Sequence, residues 1–174
     1  MAEGFTWYAE IAPNRYRERY GLAFEDFAPG QRFRHRPGIT ITQQDNIDES
    51  VETLNQAMIH YDDHYAAQTE FKRPLVASNL TVMRLIGMTW KTFATRERIL
   101  GWAEISMLAP VYGGDTVYAE TLVKTRHDVA DDGRCGRLTL VTTGTNQAGT
   151  AICRMEYDAL IWRRAHLPFA AAGY

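Results

Sequence analysis

The sequence predicts an α+β fold in which an antiparallel sheet of about five strands wraps round one long buried helix. Residues 75–90 place apolar side chains on nearly every side of a helix, with Ser78 as a suitable N-cap, and a helix of that kind is buried. Beyond residue 98 the hydrophobic period changes to two, which is typical of strands that bury one face. A single long helix inside a curved antiparallel sheet is the hot-dog architecture.

Three of the strands form a predicted meander in the C-terminal half. Residues 117–123, 138–142 and 151–161 each alternate between inward and outward positions. The segments 131–133 (Asp-Asp-Gly) and 146–149 (Asn-Gln-Ala-Gly) supply the two turns. Many inward residues are Ala, Thr or Val, so the sheet can curl closely round the helix.

Two further strands complete the predicted sheet. Residues 99–108 form one of them and end before a proline. Residues 32–40 form the other, but Pro37 and Gly38 interrupt it. Because proline cannot donate to a strand ladder, this segment is predicted to be an edge strand or to contain a bulge.

An amphipathic helix is predicted directly after the interrupted strand. Thr42 is a suitable N-cap, and Asp45 follows three residues later. Ile47, Val51 and Leu54 recur at helical spacing and are expected to form the buried face.

Length and charge limit the possible classes of protein. A chain of 174 residues suits one domain, which we place at residues 24–174. We expect residues 1–23 to form an irregular arm that includes a short helix at 15–20. A net charge of −2 provides no global field to attract nucleic acid or an anionic membrane. No apolar run approaches the ~18 residues needed to span a bilayer, and the N-terminus has no signal-peptide core, so we expect a soluble, cytoplasmic protein.

The two cysteines are predicted to be free thiols. If 146–149 is the turn, Cys153 lies opposite about Thr142, which leaves Cys135 ~23 Å away along the strand at ~3.3 Å per residue. A disulfide requires Cα atoms within ~7 Å of each other. The hairpin geometry therefore excludes a bridge between them.

Four segments, in order, resemble the MaoC-like dehydratases, relatives of the (R)-specific enoyl-CoA hydratases. They are FEDFAPGQRF, NQAMIHYDDHYA, RPLVASNLTVMRLIG and LAPVYGGDTVYAE. The second is similar to the family signature D-x-N-P-x-H-x-D-x-x-x-A, and the third stands where the family has I-A-H-G-x-x-T before the central helix. The resemblance covers residues 24–162 and implies the hot-dog fold.

The resemblance also implies a catalytic site. The family uses an aspartate and a histidine five residues apart; His60 matches the histidine, Asn55 stands at the aspartate position, and Asp62 matches the later acid. Asn55 cannot exchange a proton near neutral pH, although it can hold a water, and it also suits a helix C-cap. Asp62 or Asp63 could replace the missing carboxylate, or His60 could act alone.

Other residues are assigned to substrate binding by the same resemblance. Backbone N–H groups at Ser78 and Asn79 match the start of the family's central helix and would hold a thioester oxygen. Three basic residues could hold the phosphates of coenzyme A or belong to a solvated basic face, namely Lys72, Arg73 and Lys91. His60 and His64 could be two metal ligands, but no third one has suitable spacing and the resemblance implies neither a metal nor another cofactor.

The resulting hypothesis is a lyase that interconverts a 2-enoyl-CoA and a 3-hydroxyacyl-CoA, with His60 as the main acid/base. The acyl carrier is coenzyme A or an acyl carrier protein, and the protein is expected to be a homodimer or higher homo-oligomer because one hot-dog unit leaves a sheet edge without a partner. A hot-dog thioesterase is an alternative, although residues 75–90 lack the carboxylate those enzymes usually carry there. A protein that binds acyl-CoA without turnover is another.

Overall fold

The computed structural model describes residues 7–128 and 133–172 and confirms the hot-dog architecture. Five antiparallel strands form one sheet in the order β3-β5-β6-β7-β4, and β1 and β2 form a separate hairpin. The elements are β1 (Tyr8–Ala12), β2 (Arg15–Glu18), β3 (Arg32–Thr40), α1 (Gln43–Glu52), α2 (Asp63–Gln68), α3 (Ser78–Met88), β4 (Arg96–Met107), β5 (Thr116–Asp128), β6 (Cys135–Thr145) and β7 (Ala151–Trp162).

The inner face of the sheet matches the predicted alternation. The core includes alternate residues of the three meander strands, which are Val117, Ala119, Thr121, Val123, Leu138, Leu140, Thr142, Cys153, Met155, Tyr157, Ala159 and Ile161. A Cβ atom at Gly144 would lie 2.5 Å from Leu85 Cδ1 of α3. The glycine therefore allows the helix to approach β6 closely.

The central helix is only partly buried, and this corrects the expectation drawn from its composition. Leu80, Thr81 and Leu85 are buried, but Met83 and Trp90, just past the helix end, are exposed, as is Gly87. The sheet covers one side of α3 and leaves the opposite side open. We call Met83, Gly87 and Trp90 the exposed stripe of α3. The predicted cap is also wrong, because Ala77 is the N-cap and Ser78 is the first helical residue.

Helix α1 begins as predicted but buries a different face. Thr42 Oγ1 accepts from Asp45 N at 3.0 Å, and the Asp45 carboxylate accepts from Thr42 N at 2.8 Å. Val51 and Leu54 are 66% and 82% exposed, so the predicted apolar face is wrong. The buried residues are polar ones, Asn46 and Ser50.

The fully buried carboxamide of Asn46 explains this reversal. Its Nδ2 donates to the carbonyl oxygens of His60 at 2.6 Å and Leu75 at 2.8 Å. Its Oδ1 accepts from Ala77 N at 2.8 Å. Of the three backbone groups, Ala77 N is fully buried, and together the three bonds connect the loop after α1 to the start of α3.

The N-terminal arm contains a β-hairpin, β1 with β2, instead of irregular chain with a short helix at 15–20. Residues 1–6 of the arm lie outside the described residues. The sequence of the arm mixes aromatic and charged residues without a clear hydrophobic period, so it did not predict the hairpin. Strand β3 is an edge strand with a register shift between His35 and Ile39, as predicted.

The cysteines are free thiols, as predicted. Cys153 pairs with Gly144, two residues from the expected Thr142, and Cys135 pairs with Trp162 at the far end of the hairpin. The turn predicted at 146–149 is present, closed by Gly149 N donating to Asn146 O at 3.0 Å. Most of the turn predicted at 131–133 lies outside the described residues.

A chain of buried polar side chains crosses the sheet beneath α3. His35 Nε2 lies 2.9 Å from Thr121 Oγ1, which lies 2.8 Å from Thr142 Oγ1. The Thr142 hydroxyl lies 3.1 Å from Tyr157 Oη. Burial, together with the positive charge of Arg36, lowers the pKa of His35 from 6.5 to about 4, against the opposing effect of Glu120.

Acid is therefore predicted to destabilise the fold through His35. The unfolded chain binds a proton near pH 6.5 and the folded chain only near pH 4, so this part of the stability is present above pH 6.5 and is lost as the pH falls. The loss approaches about 3 kcal/mol. The loss of stability is measured by denaturant unfolding of the wild type and of His35→Gln from pH 7.5 to 4. Glutamine keeps a polar group towards Thr121.

The wild-type curve should fall more steeply than the His35→Gln curve between pH 6.5 and 4. Carboxylates contribute equally to both curves, so the difference isolates the imidazole. Parallel curves would contradict the assignment.

Candidate active site

His60 is the last residue of a 3₁₀ turn, Met58–His60, between α1 and α2, and it is half-buried. Its Nδ1 lies 2.9 Å from the carbonyl oxygen of Leu75. A carbonyl oxygen only accepts hydrogen bonds, so Nδ1 carries the proton and donates it. In the neutral imidazole this leaves Nε2 unprotonated and able to act as a base.

Backbone contacts on both sides hold His60 in place. The His60 carbonyl oxygen accepts from Gln43 Nε2 at 3.0 Å as well as from Asn46. Leu75 N donates to Ile59 O at 3.0 Å, so the segment before α3 lies directly against the 3₁₀ turn. The ring is thus fixed relative to the beginning of α3.

The first turn of α3 begins three residues after Leu75, whose carbonyl oxygen contacts His60, and it provides hydrogen-bond donors. Asn46 uses the N–H of Ala77, the N-cap, while the N–H groups of Ser78 and Asn79 have no acceptor within the described part of the chain. Both residues are exposed. Free N–H groups at the positive end of a helix dipole suit an oxygen that develops negative charge.

The Asn55 side chain is held within its own loop. Helix α1 ends with Thr53 as the C-cap and Leu54 in the left-handed region at φ 55°, and Asn55 N donates to Ser50 O at 2.8 Å. Asn55 Oδ1 accepts from Ala57 N at 3.1 Å. Asn55 therefore follows the cap instead of being it, and no hydrogen bond joins it to His60.

Asp62 caps the next helix. It is the N-cap of α2, and its Oδ1 accepts from Tyr65 N at 2.9 Å. Asp63 is exposed in the first turn of the same helix. Neither carboxylate hydrogen-bonds to His60, although all three residues belong to the described chain.

Glu49 is a carboxylate at this site that the sequence interpretation missed. Its Oε1 accepts from Asn79 Nδ2 at 2.7 Å, which places it beside the first turn of α3. Glu49 lies four residues after Asp45, and Asp45 pairs with Arg84 of α3 at 3.1 Å. This i, i+4 pair of acids was the available signal for the α1 face that meets α3.

The three basic residues assigned to coenzyme A phosphates are separated by the length of α3. Lys72 and Arg73 precede the helix, whereas Lys91 follows it, and an 11-residue helix is ~16 Å long. The Arg73 guanidinium lies 3.7 Å from the ring centroid of Tyr112. Lys91 Nζ lies 4.4 Å from the ring centroid of Trp7. The three side chains therefore do not form one cluster.

The described residues contain neither a cluster of metal ligands nor a membrane-spanning helix. Within residues 7–128 and 133–172, no three His, Cys, Asp or Glu side chains are grouped as metal ligands. No helix in the same residues is long and apolar enough to cross a membrane.

Solved structures share this fold. A MaoC-like dehydratase from Rhodospirillum rubrum is 22% identical with a TM-score of 0.72, over 83% of this chain and 99% of that one. An R-hydratase from Pseudomonas aeruginosa is 19% identical with a TM-score of 0.68, over 83% and 88%. A Mycobacterium tuberculosis protein with a double hot-dog fold is 22% identical with a TM-score of 0.75, over 82% of this chain but only 44% of its own length.

No curated protein sequence matches the chain. A family model described as mesaconyl-CoA hydratase matches residues 4–173, which is nearly the whole chain and includes most of the N-terminal arm. The expected resemblance is thereby confirmed. With structural neighbours that are MaoC-like dehydratases and (R)-hydratases, this chain belongs to the mesaconyl-CoA hydratase family and has its hot-dog fold.

Proposed function

We propose that the protein hydrates a 2-enoyl-CoA to a 3-hydroxyacyl-CoA and catalyses the reverse dehydration, with His60 as the main acid/base. The observation that carries this proposal is the contact between His60 Nδ1 and Leu75 O, because it leaves Nε2 available to accept a proton and joins the ring to the segment that leads into α3. The description of the matched family makes mesaconyl-CoA the first substrate to test.

Hydration of the conjugated thioester needs two proton transfers. His60 Nε2 accepts a proton from water as the water oxygen bonds to the β-carbon. The electron pair of the double bond moves towards the thioester carbonyl, and the α-carbon then takes a proton. The imidazolium formed in the first step can return that proton, so one residue suffices for a balanced reaction.

The enolate oxygen formed in between needs donors. The N–H groups of Ser78 and Asn79 are proposed to hold it, because donors fixed before the reaction stabilise a developing charge without reorganising. Asn79 differs from the glycine of the family pattern, but its side chain is directed to Glu49. Its backbone N–H is thus available to the thioester.

Asn55 and Asp62 are proposed to contribute to the site without exchanging protons. The Nδ2 group of Asn55 can donate to the attacking water while its Oδ1 stays bonded to Ala57 N. Asp62 fixes the start of α2 immediately after the His60 turn. Its role is to position the loop.

A homodimer is the proposed assembly. Strand β4 is the second edge of the sheet, and large apolar side chains on it and just after it are exposed: Leu100, Trp102, Ile105, Met107 and Leu108. A long apolar edge strand invites pairing with another copy. The double hot-dog relative, with about twice the length, is consistent with two such units side by side. A monomeric mass in light scattering would contradict this assembly.

A thioesterase is the second candidate, and Glu49 is the observation that favours it. The sequence alone places no carboxylate on α3, but the structure brings one to its first turn. A carboxylate there could activate a water molecule to attack the carbonyl carbon of the thioester. Release of free thiol from saturated acyl-CoA, abolished by Glu49→Gln, would favour this activity over hydration.

Replacing the proposed base should abolish hydration. His60→Ala is expected to lower kcat/KM with mesaconyl-CoA or crotonyl-CoA by about 10²–10⁴-fold, the usual contribution of a proton-transfer residue. The fold should persist because Asn46 still satisfies Leu75 O. Loss of absorbance from the conjugated thioester measures the rate.

His64→Ala is the matched control, since His64 is exposed and lies in α2. An unchanged rate in His60→Ala would refute the acid/base assignment. If the wild-type protein binds acyl-CoA tightly but does not turn over any member of a broad enoyl-CoA panel, it is a binding protein and not a lyase.

Restoring the family carboxylate should raise activity. Asn55→Asp keeps an oxygen acceptor for Ala57 N, so the loop conformation is compatible with the change. It adds a second proton-transfer group, and kcat for hydration is expected to rise about tenfold or more. Side-by-side assays of Asn55→Asp and wild type measure the change, and an equal or lower kcat with retained stability would contradict it.

A further inference from the structure

A groove of about 430 Å³ lies between the N-terminal hairpin and the C-terminal end of α3. Three aromatic rings and several charged side chains line it, including Trp7, Tyr20, Trp90, Arg36, Lys91 and Glu18. We call it the aromatic–basic groove. It is lined by residues at the opposite end of α3 from Ser78 and Asn79.

The rings of this groove are available to a ligand. Trp7, Tyr20 and Trp90 are 46%, 50% and 48% exposed. Trp90 Nε1 donates to Tyr20 Oη at 3.4 Å, and Lys91 Nζ lies over the ring of Trp7. Half-exposed rings held in this way can stack with a planar base, because stacking uses the open face of each ring.

The charges of the groove favour an anion next to the stacked base. Lys91 and Arg36 lie on its wall, and Glu18 is an acid on the same wall. Arg36 donates to the carbonyl oxygen of His35 at 2.7 Å and lies over the Tyr118 ring, so its position is fixed. Aromatic rings beside lysine and arginine form the combination that binds a nucleotide phosphate.

The groove continues towards the proposed catalytic site. A neighbouring groove of about 580 Å³ follows the exposed stripe of α3 and reaches Glu49 and Leu80. The two grooves share Pro37, Gly87 and Met88. Together they extend along α3, a distance of ~16 Å for its 11 residues. A ligand that lies there has one end beside Glu49, which accepts a hydrogen bond from Asn79, and the other end against Trp90.

We propose that the aromatic–basic groove binds the adenosine 3′-phosphate 5′-diphosphate end of a coenzyme A thioester, with the pantetheine arm along the exposed stripe of α3. This assignment rests on the proposed function, because it places the acyl carbonyl at the first turn of α3. Lys91 binds phosphate, and Trp90 stacks on the adenine. An acyl carrier protein, whose arm has no adenine nucleotide, would leave this groove empty.

Binding of two non-reactive thioesters tests the assignment. Tryptophan fluorescence and calorimetry compare butyryl-CoA with butyryl-pantetheine, which lacks the nucleotide, on wild type, Lys91→Gln and Trp90→Leu. Lys124→Gln, an exposed lysine on β5 away from both grooves, is the control. Lys91→Glu adds a charge reversal at an exposed position, where folding is not at risk.

Butyryl-CoA should quench tryptophan fluorescence in wild type, and adenosine 3′,5′-bisphosphate should compete with it. Its Kd should rise about tenfold or more in Lys91→Gln and further in Lys91→Glu, because charged hydrogen bonds to phosphate are lost. The Kd of butyryl-pantetheine should stay unchanged, because this thioester lacks the nucleotide that the groove binds. Equal butyryl-CoA binding in all variants, or equal weakening of both thioesters, would overturn the assignment.

The outcomes for this site and for the proposed function are separable. Groove-dependent binding of butyryl-CoA without turnover of enoyl-CoA would refute the hydratase and keep the nucleotide site. Turnover of enoyl-CoA with an unchanged KM in the groove variants would keep the hydratase and refute the nucleotide site. Absence of both binding and turnover would refute both.

Discussion

The buried carboxamide of Asn46 is the constraint on which the candidate site depends. One side chain satisfies the carbonyl oxygens of His60 and Leu75 and the N–H of Ala77, three backbone groups from two segments far apart in sequence. Ala77 is fully buried, and a backbone N–H left without a partner in the interior costs about 1–3 kcal/mol. The same bonds therefore stabilise the fold and fix the imidazole of His60 relative to the donors of α3.

Different parts of helix α3 have different roles. Its N-terminal turn carries free N–H groups, its buried side packs on the sheet, and its exposed stripe borders two joined grooves. The polar chain from His35 to Tyr157 lies beneath it, where every hydroxyl has a partner. Such a network specifies one arrangement of the strands, because any slip would bury unpaired hydroxyls.

Period-two alternation and the Thr42 capping box could be predicted because each depends on neighbours in sequence or on one buried face. The buried face of α1 could not, since hydrophobicity favours Val51 over Asn46 and the reason for burying Asn46 lies in backbone groups 14 to 31 residues away. Glu49 was missed in spite of its i, i+4 spacing from Asp45, because its partner Asn79 lies 30 residues away along the chain. The family pattern pointed to His60, but only the three-dimensional structure shows that its Nδ1 contacts Leu75 O.

The most direct test of this account is the tautomer of His60. Nitrogen-15 NMR of the imidazoles, with His60→Ala used to assign the signal, distinguishes a protonated Nδ1 from a protonated Nε2 at a pH where the ring is neutral. The contact with Leu75 O predicts the Nδ1–H form, with Nε2 free to accept a proton from water. A predominant Nε2–H form would contradict the proposed base and the positioning role of the Asn46 bonds.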